Sequence, residues 1–445
     1  MHSKNGEAGR PFHPASAMDY LPEPLLRKLQ VQRLAESVSR AYHGQRCGLL
    51  KKRMDEAGVK PEDVKSLEDI RRLPFSTKAD LRDTYPYGLF TLPDREVVRI
   101  HASSGTTGKP IVVGYTQSDV EVWADAMRRG MIACGLGDED VIQVSYGYGL
   151  FTGGLGAHYG GERLGAMVIP TSGGNTERQV MVMQDFGVTA ICCTPSYFAH
   201  IAEKAADYGV DIRKTRLKKG LFGAEPWSDA MRRHLEETTG IQAQDLYGLS
   251  EISGPGVAIE CLEQDGLHVF EDYFYPEIID AETLEPLPDG EEGELVITTL
   301  CKEAMPLIRY RTRDITAIMP GRCSCGRVLR RIRRIGRRSD DMMIIRGVNV
   351  FPSQIETALL RIRGLSPNYQ IVLTREAGLD QMEVRVEITP NILGDRIMEL
   401  EGMLGEIGHS ILSITGIHAK VTLAEPKSIA RSEGKAKRVV DRRVI

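Results

Sequence analysis

The sequence predicts an α/β protein made of one large body and one small α+β domain that meet near Asp340. Three observations lead there. Short β-branched runs alternate with helical stretches between residues 97 and 208, the pattern of a mostly parallel sheet covered by helices. After Tyr273 the helices stop and strand-and-turn segments take over, a small β region closing the body. Beyond Asp340 strands and helices resume in a different order, which marks a second unit. At about 150 residues per domain, the 445 residues suit about three units, or a composite body plus a smaller partner.

Residues 1–17 mix Pro, Gly, Ser and His without periodicity and read as a loose tail. In the body, residues 18–339, Leu25, Leu26, Leu29, Leu34 and Val38 recur at helical spacing, so it opens with a helix over 23–41. Residues 97–100, 141–144, 167–169 and 189–191 are strand-like, and 118–134, 176–186 and 196–208 are helical. Residues 276–280 and 293–299 read as strands joined by the turn-rich stretch 286–290. The small domain, residues 340–445, carries helices over 352–361 and 392–412 and strands over 369–374, 382–388 and 418–423. No internal repeat interrupts this order.

Composition excludes several classes. Apolar residues make up 42% and charged residues 27%, too apolar for a disordered chain. No window holds the run of apolar residues a membrane helix needs, so no membrane partner is expected. The first residues lack the apolar stretch of a secretory signal. Eight cysteines are too sparse for a disulfide scaffold and fit a reduced, cytoplasmic setting. The net charge of −4 hides an asymmetry: residues 321–445 hold 22 Lys+Arg against 14 Asp+Glu, while the remainder is acidic. Such a split suits an anionic ligand between the units, or nucleic acid. The densest basic stretch, 327–338, has seven arginines in twelve positions but no interleaved aromatic. Val328, Leu329, Ile332 and Ile335 suggest that it packs on one side and borders a ligand, so no nucleic-acid partner is expected.

Four motifs carry candidate chemistry. Ser103-Ser104-Gly105-Thr106-Thr107-Gly108-Lys109-Pro110 lies between two strands. Its glycines let backbone N–H groups converge on an anion, and its hydroxyls and lysine add donors and charge, as a triphosphate requires. Tyr247-Gly248-Leu249-Ser250-Glu251 follows a strand and offers an aromatic face, a hydroxyl and a carboxylate. Asp314 in Tyr310-Arg311-Thr312-Arg313-Asp314 either accepts from ribose hydroxyls or pairs with Arg311 or Arg313. Lys435, beside Gly434, can swing into a site and neutralise phosphate charge, or belong to a solvated basic tail. The glycines of 147–154 lack the strand–turn–helix setting of a dinucleotide fingerprint.

In order, SSGTTGKP (103–110), YGLSE (247–251), YRTRD (310–314), GRRSDDMMIIRG (336–347) and EGKAKR (433–438) resemble the adenylate-forming superfamily of acyl-CoA synthetases, nonribosomal adenylation domains and luciferases. LPFSTKADLRDTYP (73–86), YGYGLFTGGLGAHYG (146–160), KEAMPLIRYRTRD (302–314) and RSDDMMIIRGVNVFPSQIE (338–356) are similar to the phenylacetate–CoA ligase family, from about residue 20 to the end. The resemblance implies a large adenylate-forming domain and a mobile C-terminal domain turning about Asp340. It implies an AMP-forming aryl-acid–CoA ligase acting on phenylacetate, or on an indoleacetate, hydroxylated phenylacetate or benzoate-type acid. A relative passing its acyl or AMP group to another acceptor is the alternative.

The same resemblance implies the roles of single residues. The loop Ser103 to Lys109 would hold the ATP phosphates, although here Lys109 precedes Pro110 where most of the superfamily has the reverse order. Tyr247 would stack on adenine opposite Gly223, Ala224, Glu225 and Pro226, with Asp245, Gly248 and Ser250 nearby. Glu251 would ligate Mg²⁺, a hard cation suited to carboxylate oxygen. Asp314 and Arg338 would bind the ribose, and Lys435 would stabilise the adenylation transition state. Tyr146, Phe151, Gly153, Ala157 and Ile252 match the acid pocket, and Arg346, Gly347 and Asn349 the coenzyme A face. Relatives imply a homodimer. Cys261, His268, Cys323 and Cys325 offer the three sulfurs and one imidazole of a structural Zn²⁺ site, and the other five cysteines read as small core residues.

Overall fold

A computed structural model describes residues 12–103, 110–338, 341–346, 348–376, 379–389 and 397–443. Of the runs expected as strands, 97–100 leads into a separate antiparallel pair of Arg99–Ser103 and Ile111–Tyr115, while 141–144, 167–169 and 189–191 meet in one nine-stranded sheet. Its parallel half runs in the order Gln242–Leu249, Lys219–Gly223, Ala190–Cys193, Val141–Val144 and Met167–Ile169. Helices Gly153–Leu164, Thr176–Asp185, Pro195–Asp207 and Asp229–Thr239 supply the crossovers that parallel neighbours require. A short turn instead returns Gln242–Leu249 to Gly254–Glu260, so these two pair antiparallel. The sheet continues antiparallel through Leu267–Val269, Arg331–Ile332 and Ile318–Met319. It is therefore parallel in the half that carries crossover helices and antiparallel in the half that lacks them.

Alternate residues of the central strands enter different cores. Ile142, Val144, Cys192, Leu221 and Leu246 pack on one face, and Val141, Ile191, Cys193, Phe222 and Ala243 on the other. This is the two-sided burial expected of parallel strands, and it explains their nearly continuous apolar sequence. The β region after Tyr273 is a four-stranded antiparallel sheet of Phe274–Ile279, Gly293–Thr299, Tyr310–Thr316 and Arg337–Arg338. Leu300 and Ile308 beside it pack on Leu34, Val38 and Met54 from the N-terminal helices.

One expectation changes near the N-terminus. Residues 14–17, read as loose tail, lie in a 3₁₀ helix over Pro14–Tyr20 with Ser16 and Asp19 buried. Arg129, fully buried, donates to Asp19 and Asp272, and Arg327 reaches Asp19 from the other side. A buried guanidinium needs such partners, and a sequence without apolar periodicity gives no warning of them. Residues 1–11 lie outside the described residues.

The C-terminal elements form a core of their own. Leu365–Glu376 and Leu379–Ile388 pair antiparallel, Lys420–Ala424 and Val439–Asp441 flank them in parallel, and Pro352–Leu359 and Ile397–Thr415 pack on the sheet. The hinge residue expected at Asp340, with Ser339, lies outside the described residues. Among the described residues, no helix is long and apolar enough to cross a membrane.

Candidate active site

The parallel strands end, and the antiparallel sheet begins, around a cavity of about 350 Å³. Ligands of α/β sheets collect at such strand ends. Ser103, Tyr146, Phe151, Gly153, Glu251, Thr312, Arg338 and Lys435 line it. A second space of about 70 Å³ opens behind it between Gly223, Ala224, Glu225 and Pro226 on one side and Tyr247, Asp314 and Arg338 on the other. Four separate sequence motifs, far apart along the chain, thus converge on neighbouring walls.

Strand Gln242–Leu249 delivers Tyr247 and Gly248. A side chain at Gly248 would run into the Gly254 carbonyl, so glycine permits the tight pairing that turns the strand toward Glu251. The Tyr247 hydroxyl donates to Asp314 Oδ2 at 2.7 Å. Burial pushes that phenol well above its ordinary pKa, assisted by the Asp314 charge, so it stays a donor. Asp314 is 2% exposed and faces Arg338 across the strand pair, with its Oδ1 3.4 Å from the guanidinium. Arg311 and Arg313 pair with Glu294 instead, so the simple pairing of Asp314 with either neighbour is not what the fold adopts. Ala224 holds a positive φ of 67°, a strained turn at the wall opposite Tyr247. Asp245 also borders the smaller space, but its carboxylate is engaged by Arg334 at 2.9 Å.

Glu251 is buried at the floor of the larger cavity. Tyr310 donates to its Oε1 at 3.3 Å, and Lys78 Nζ lies 4.0 Å away. A carboxylate aimed into a polar cavity fits a hard divalent cation. Sequence reasoning missed Lys78, Tyr310 and a second lysine, Lys302. Lys302 is buried, donates to the Ile252 carbonyl at 3.1 Å and sits 3.9 Å over the Tyr115 ring. Burial lowers its pKa to about 8 despite the nearby Asp119 and Glu251 charges. Nothing in one sequence marks a lysine as buried, so these residues carried no signal beyond the motif that contains them.

Lys435 reaches the site on a turn clasped by the body. Thr194 Oγ1 donates to the Gly434 carbonyl at 2.9 Å, and the Ala436 N–H donates to Glu225 Oε2 at 2.8 Å. The other oxygen of Glu225 accepts the Ser196 N–H at the start of helix Pro195–Asp207. Burial raises the Glu225 pKa, against the pull of Arg438 and these N–H groups. The basic turn is thus docked rather than a solvated tail.

The acid-side residues divide. Tyr146, Phe151 and Gly153 line the cavity, whereas Ala157 and Ile252 are fully buried in the core and do not reach its wall. Both belong to the buried cluster that includes Tyr115 and Trp123, which the motif match did not register. The arginine strip also divides. Arg338 borders both cavities, while Arg327, Arg330, Arg331 and Arg334 are paired with Asp19, Glu271, Asp265 and Asp245 in the body. The expected border of phosphate-facing arginines reduces to its C-terminal end. Arg346 bonds Asp380 and Gln381 on the C-terminal domain, and Asn349 is exposed there, so neither lines these cavities. Ser104, Gly105, Thr106, Thr107, Gly108, Lys109 and Gly347 lie outside the described residues.

Away from this site, the ligand atoms of Cys261, His268, Cys323 and Cys325 all lie within 4.8 Å of one another. Cys261 Sγ is 3.7 Å from Cys323 Sγ, and Cys325 Sγ is 3.4 Å from His268 Nε2. A tetrahedron with Zn–S of about 2.3 Å and Zn–N of about 2.0 Å has edges of roughly 3.8 and 3.5 Å. The four residues therefore fit a closed, structural zinc site. Cys47, Cys134, Cys192 and Cys193 are buried as expected, and Cys301 is partly exposed.

Comparison with known proteins adds the following. The family model for AMP-binding enzymes matches residues 43–301, and that for the AMP-binding enzyme C-terminal domain matches residues 347–443. The chain is 51% identical over 420 residues to a phenylacetate-coenzyme A ligase of Pseudomonas putida, covering 94% of each. It is 50% identical to the phenylacetate-coenzyme A ligase of Escherichia coli K12, over 94% of this chain and 95% of that one. A solved 2-hydroxyisobutyryl-CoA ligase in its postadenylation state matches at 30% identity, with a TM-score of 0.90, covering 98% of this chain and 95% of its own. The same ligase in its thioesterification state, bound to an acyl-AMP and CoA, matches at 30% identity over the same shares with a TM-score of 0.70.

Proposed function

This chain belongs to the phenylacetate–CoA ligases of the AMP-binding enzyme family, and on that footing we propose which of its residues perform the two half-reactions. The enzyme joins phenylacetate to coenzyme A through an acyl-adenylate, with ATP converted to AMP and diphosphate. In the first half a phenylacetate oxygen attacks the α-phosphorus and the bond to the β-phosphate oxygen breaks. In the second, the coenzyme A sulfur attacks the acyl carbon, its proton is lost and AMP leaves.

Adenine lies between Tyr247 and the 223–226 wall, and Asp314 with Arg338 receives the ribose hydroxyls. The observation that supports this best is Asp314 itself: 2% exposed, hydrogen-bonded to Tyr247 and beside Arg338 at the end of the 70 Å³ space. Lys435 brings a cation to the same walls and neutralises charge growing on the phosphates. Ser103 opens the phosphate loop at the cavity edge, and Glu251 would hold Mg²⁺, which offsets phosphate charge when bound. Tyr146, Phe151 and Gly153 take the aryl ring. The Cys₃His cluster holds a structural zinc. The same proposal takes the enzyme as a cytoplasmic homodimer whose C-terminal domain turns near Asp340 between half-reactions.

Product analysis by mass spectrometry tests the assignment. With phenylacetate, ATP and Mg²⁺, diphosphate should appear, and phenylacetyl-CoA only when coenzyme A is added. A panel of indoleacetate, hydroxylated phenylacetates and benzoates ranks the acids. Diphosphate released equally with and without coenzyme A, and no thioester, would point to another acyl acceptor.

A further inference from the structure

Helix Pro195–Asp207 is one of the body elements that the C-terminal domain touches, alongside helix Asp229–Thr239. Ser196, Glu203 and Asp207 are seven and four positions apart, so they share one helical face. Glu203 accepts from Asn368 Nδ2 at 2.7 Å and from Arg431 Nε at 3.1 Å, and Lys427 Nζ reaches both oxygens of Asp207 at 2.7 Å. Ser196 Oγ donates to the Gly434 carbonyl at 3.4 Å, next to Lys435. Arg431 is preset for its task, because Glu387 on its own domain holds the guanidinium at 2.5 and 2.7 Å.

The character of this contact matters as much as its position. The same face, with Ala199, Ala202 and Ala206, borders a cavity of about 610 Å³ whose far wall is Leu365, Pro367, Ile388 and Lys427. The buried cluster of the C-terminal domain is distinct from those of the body, although Leu360, just after helix Pro352–Leu359, packs against the body cluster beside helix Asp229–Thr239. The apolar contact therefore lies at the neighbouring helix Asp229–Thr239, while along helix Pro195–Asp207 the two domains are joined by polar contacts spanning an open cleft. Such pairs exchange readily for water, whereas separating packed apolar faces exposes area at a steady cost.

We propose that the Ser196, Glu203 and Asp207 face is a latch that holds the C-terminal domain in the adenylate-forming orientation and releases it for the thioester step. The inference rests on the two-step reading above and on the higher TM-score against the postadenylation than the thioesterification state of one and the same ligase. Glu203 and Asp207 touch no reacting atom; they are positioning residues for Lys435.

Hydrogen exchange on the substrate-free chain reads the latch without any reaction. In E203Q/D207N, peptide 431–438 should exchange about three- to tenfold faster, as one half-buried and one exposed pair are lost, while core peptide 369–373 stays unchanged. Diphosphate release should slow by a similar factor, and thioester formation from preformed phenylacetyl-adenylate should not. The swap D207K/K427D should recover most of the difference between D207N and the unaltered chain. High salt should reproduce the pattern without substitution. Unchanged exchange at 431–438, or equal loss in both half-reactions, would overturn the latch. Absence of diphosphate from the unaltered chain would instead refute the ligase reading, with the exchange result still deciding the latch.

Discussion

Gly173→Ala is a sharp perturbation of the Lys435 turn because it acts from the body side. A Cβ at Gly173 would sit 2.9 Å from the Glu433 carbonyl oxygen, two residues before Lys435. The body cannot yield easily. The buried Gln179 amide donates to the carbonyls of Ser172 and Gly174 at 2.8 and 2.9 Å, and Tyr197 donates to Gly174 at 3.0 Å. The 433–436 turn must move instead, by about 0.5 Å to regain van der Waals contact. At roughly 100-fold in rate per ångström of misplacement, adenylation should slow about tenfold. Diphosphate release in single turnover measures this, with Gly137→Ala, which has open space around it, as control. Thioester formation from phenylacetyl-adenylate should be unaffected, since the turn has then left Gly173. An unchanged diphosphate rate in a folded Gly173→Ala enzyme would refute the docked turn as the working geometry.

Four further outcomes follow from the site. Lys435→Ala should lower diphosphate release about 100- to 1,000-fold while preserving thioester formation from synthetic adenylate, since a single preorganised donor carries that much. Asp314→Asn should raise the KM for ATP by roughly 10- to 150-fold, the equivalent of about 1.5–3 kcal/mol for hydrogen bonds to a charged group; steady-state kinetics checks it. Elemental analysis should find one zinc per chain, and Cys323→Ser should lose it together with thermal stability. Lys302 binds its proton less tightly when folded, with a pKa of about 8 against 10.5 for an ordinary lysine. Between those values the unfolded chain holds more protons, so the stability of the native enzyme relative to Lys302→Met should rise with pH across that window. Urea midpoints measured at pH 7.5 to 10 test the sign.

Much of the fold was legible because burial on two faces forces near-continuous apolar strands and helices that alternate between them. Runs such as 141–144 and 189–191 announce themselves in this way. The motifs were legible for a related reason: Tyr247 and Glu251 stand near or just past the end of one strand, where side-chain chemistry rather than packing selects the residue. What escaped was anything decided by partners distant in sequence. Ala157 and Ile252 match pocket positions yet are buried in the core, and Asp19, just after the unpatterned tail, anchors a buried arginine. Lys302 and Lys78 converge on the Glu251 neighbourhood from segments whose local pattern says nothing of burial.

By itself, then, the sequence determined the class of fold, the order of the chemical motifs and the residue types able to handle a nucleotide and an acid. Only the tertiary structure decided which of these residues share a wall, which arginines are already neutralised by carboxylates, and how the Lys435 turn is held. Local spacing governs backbone hydrogen bonds and apolar faces. Charge pairing, burial and docking depend on distances between segments that lie a hundred or more residues apart, as Ala436 and Glu225 do, and those distances exist only once the chain has folded.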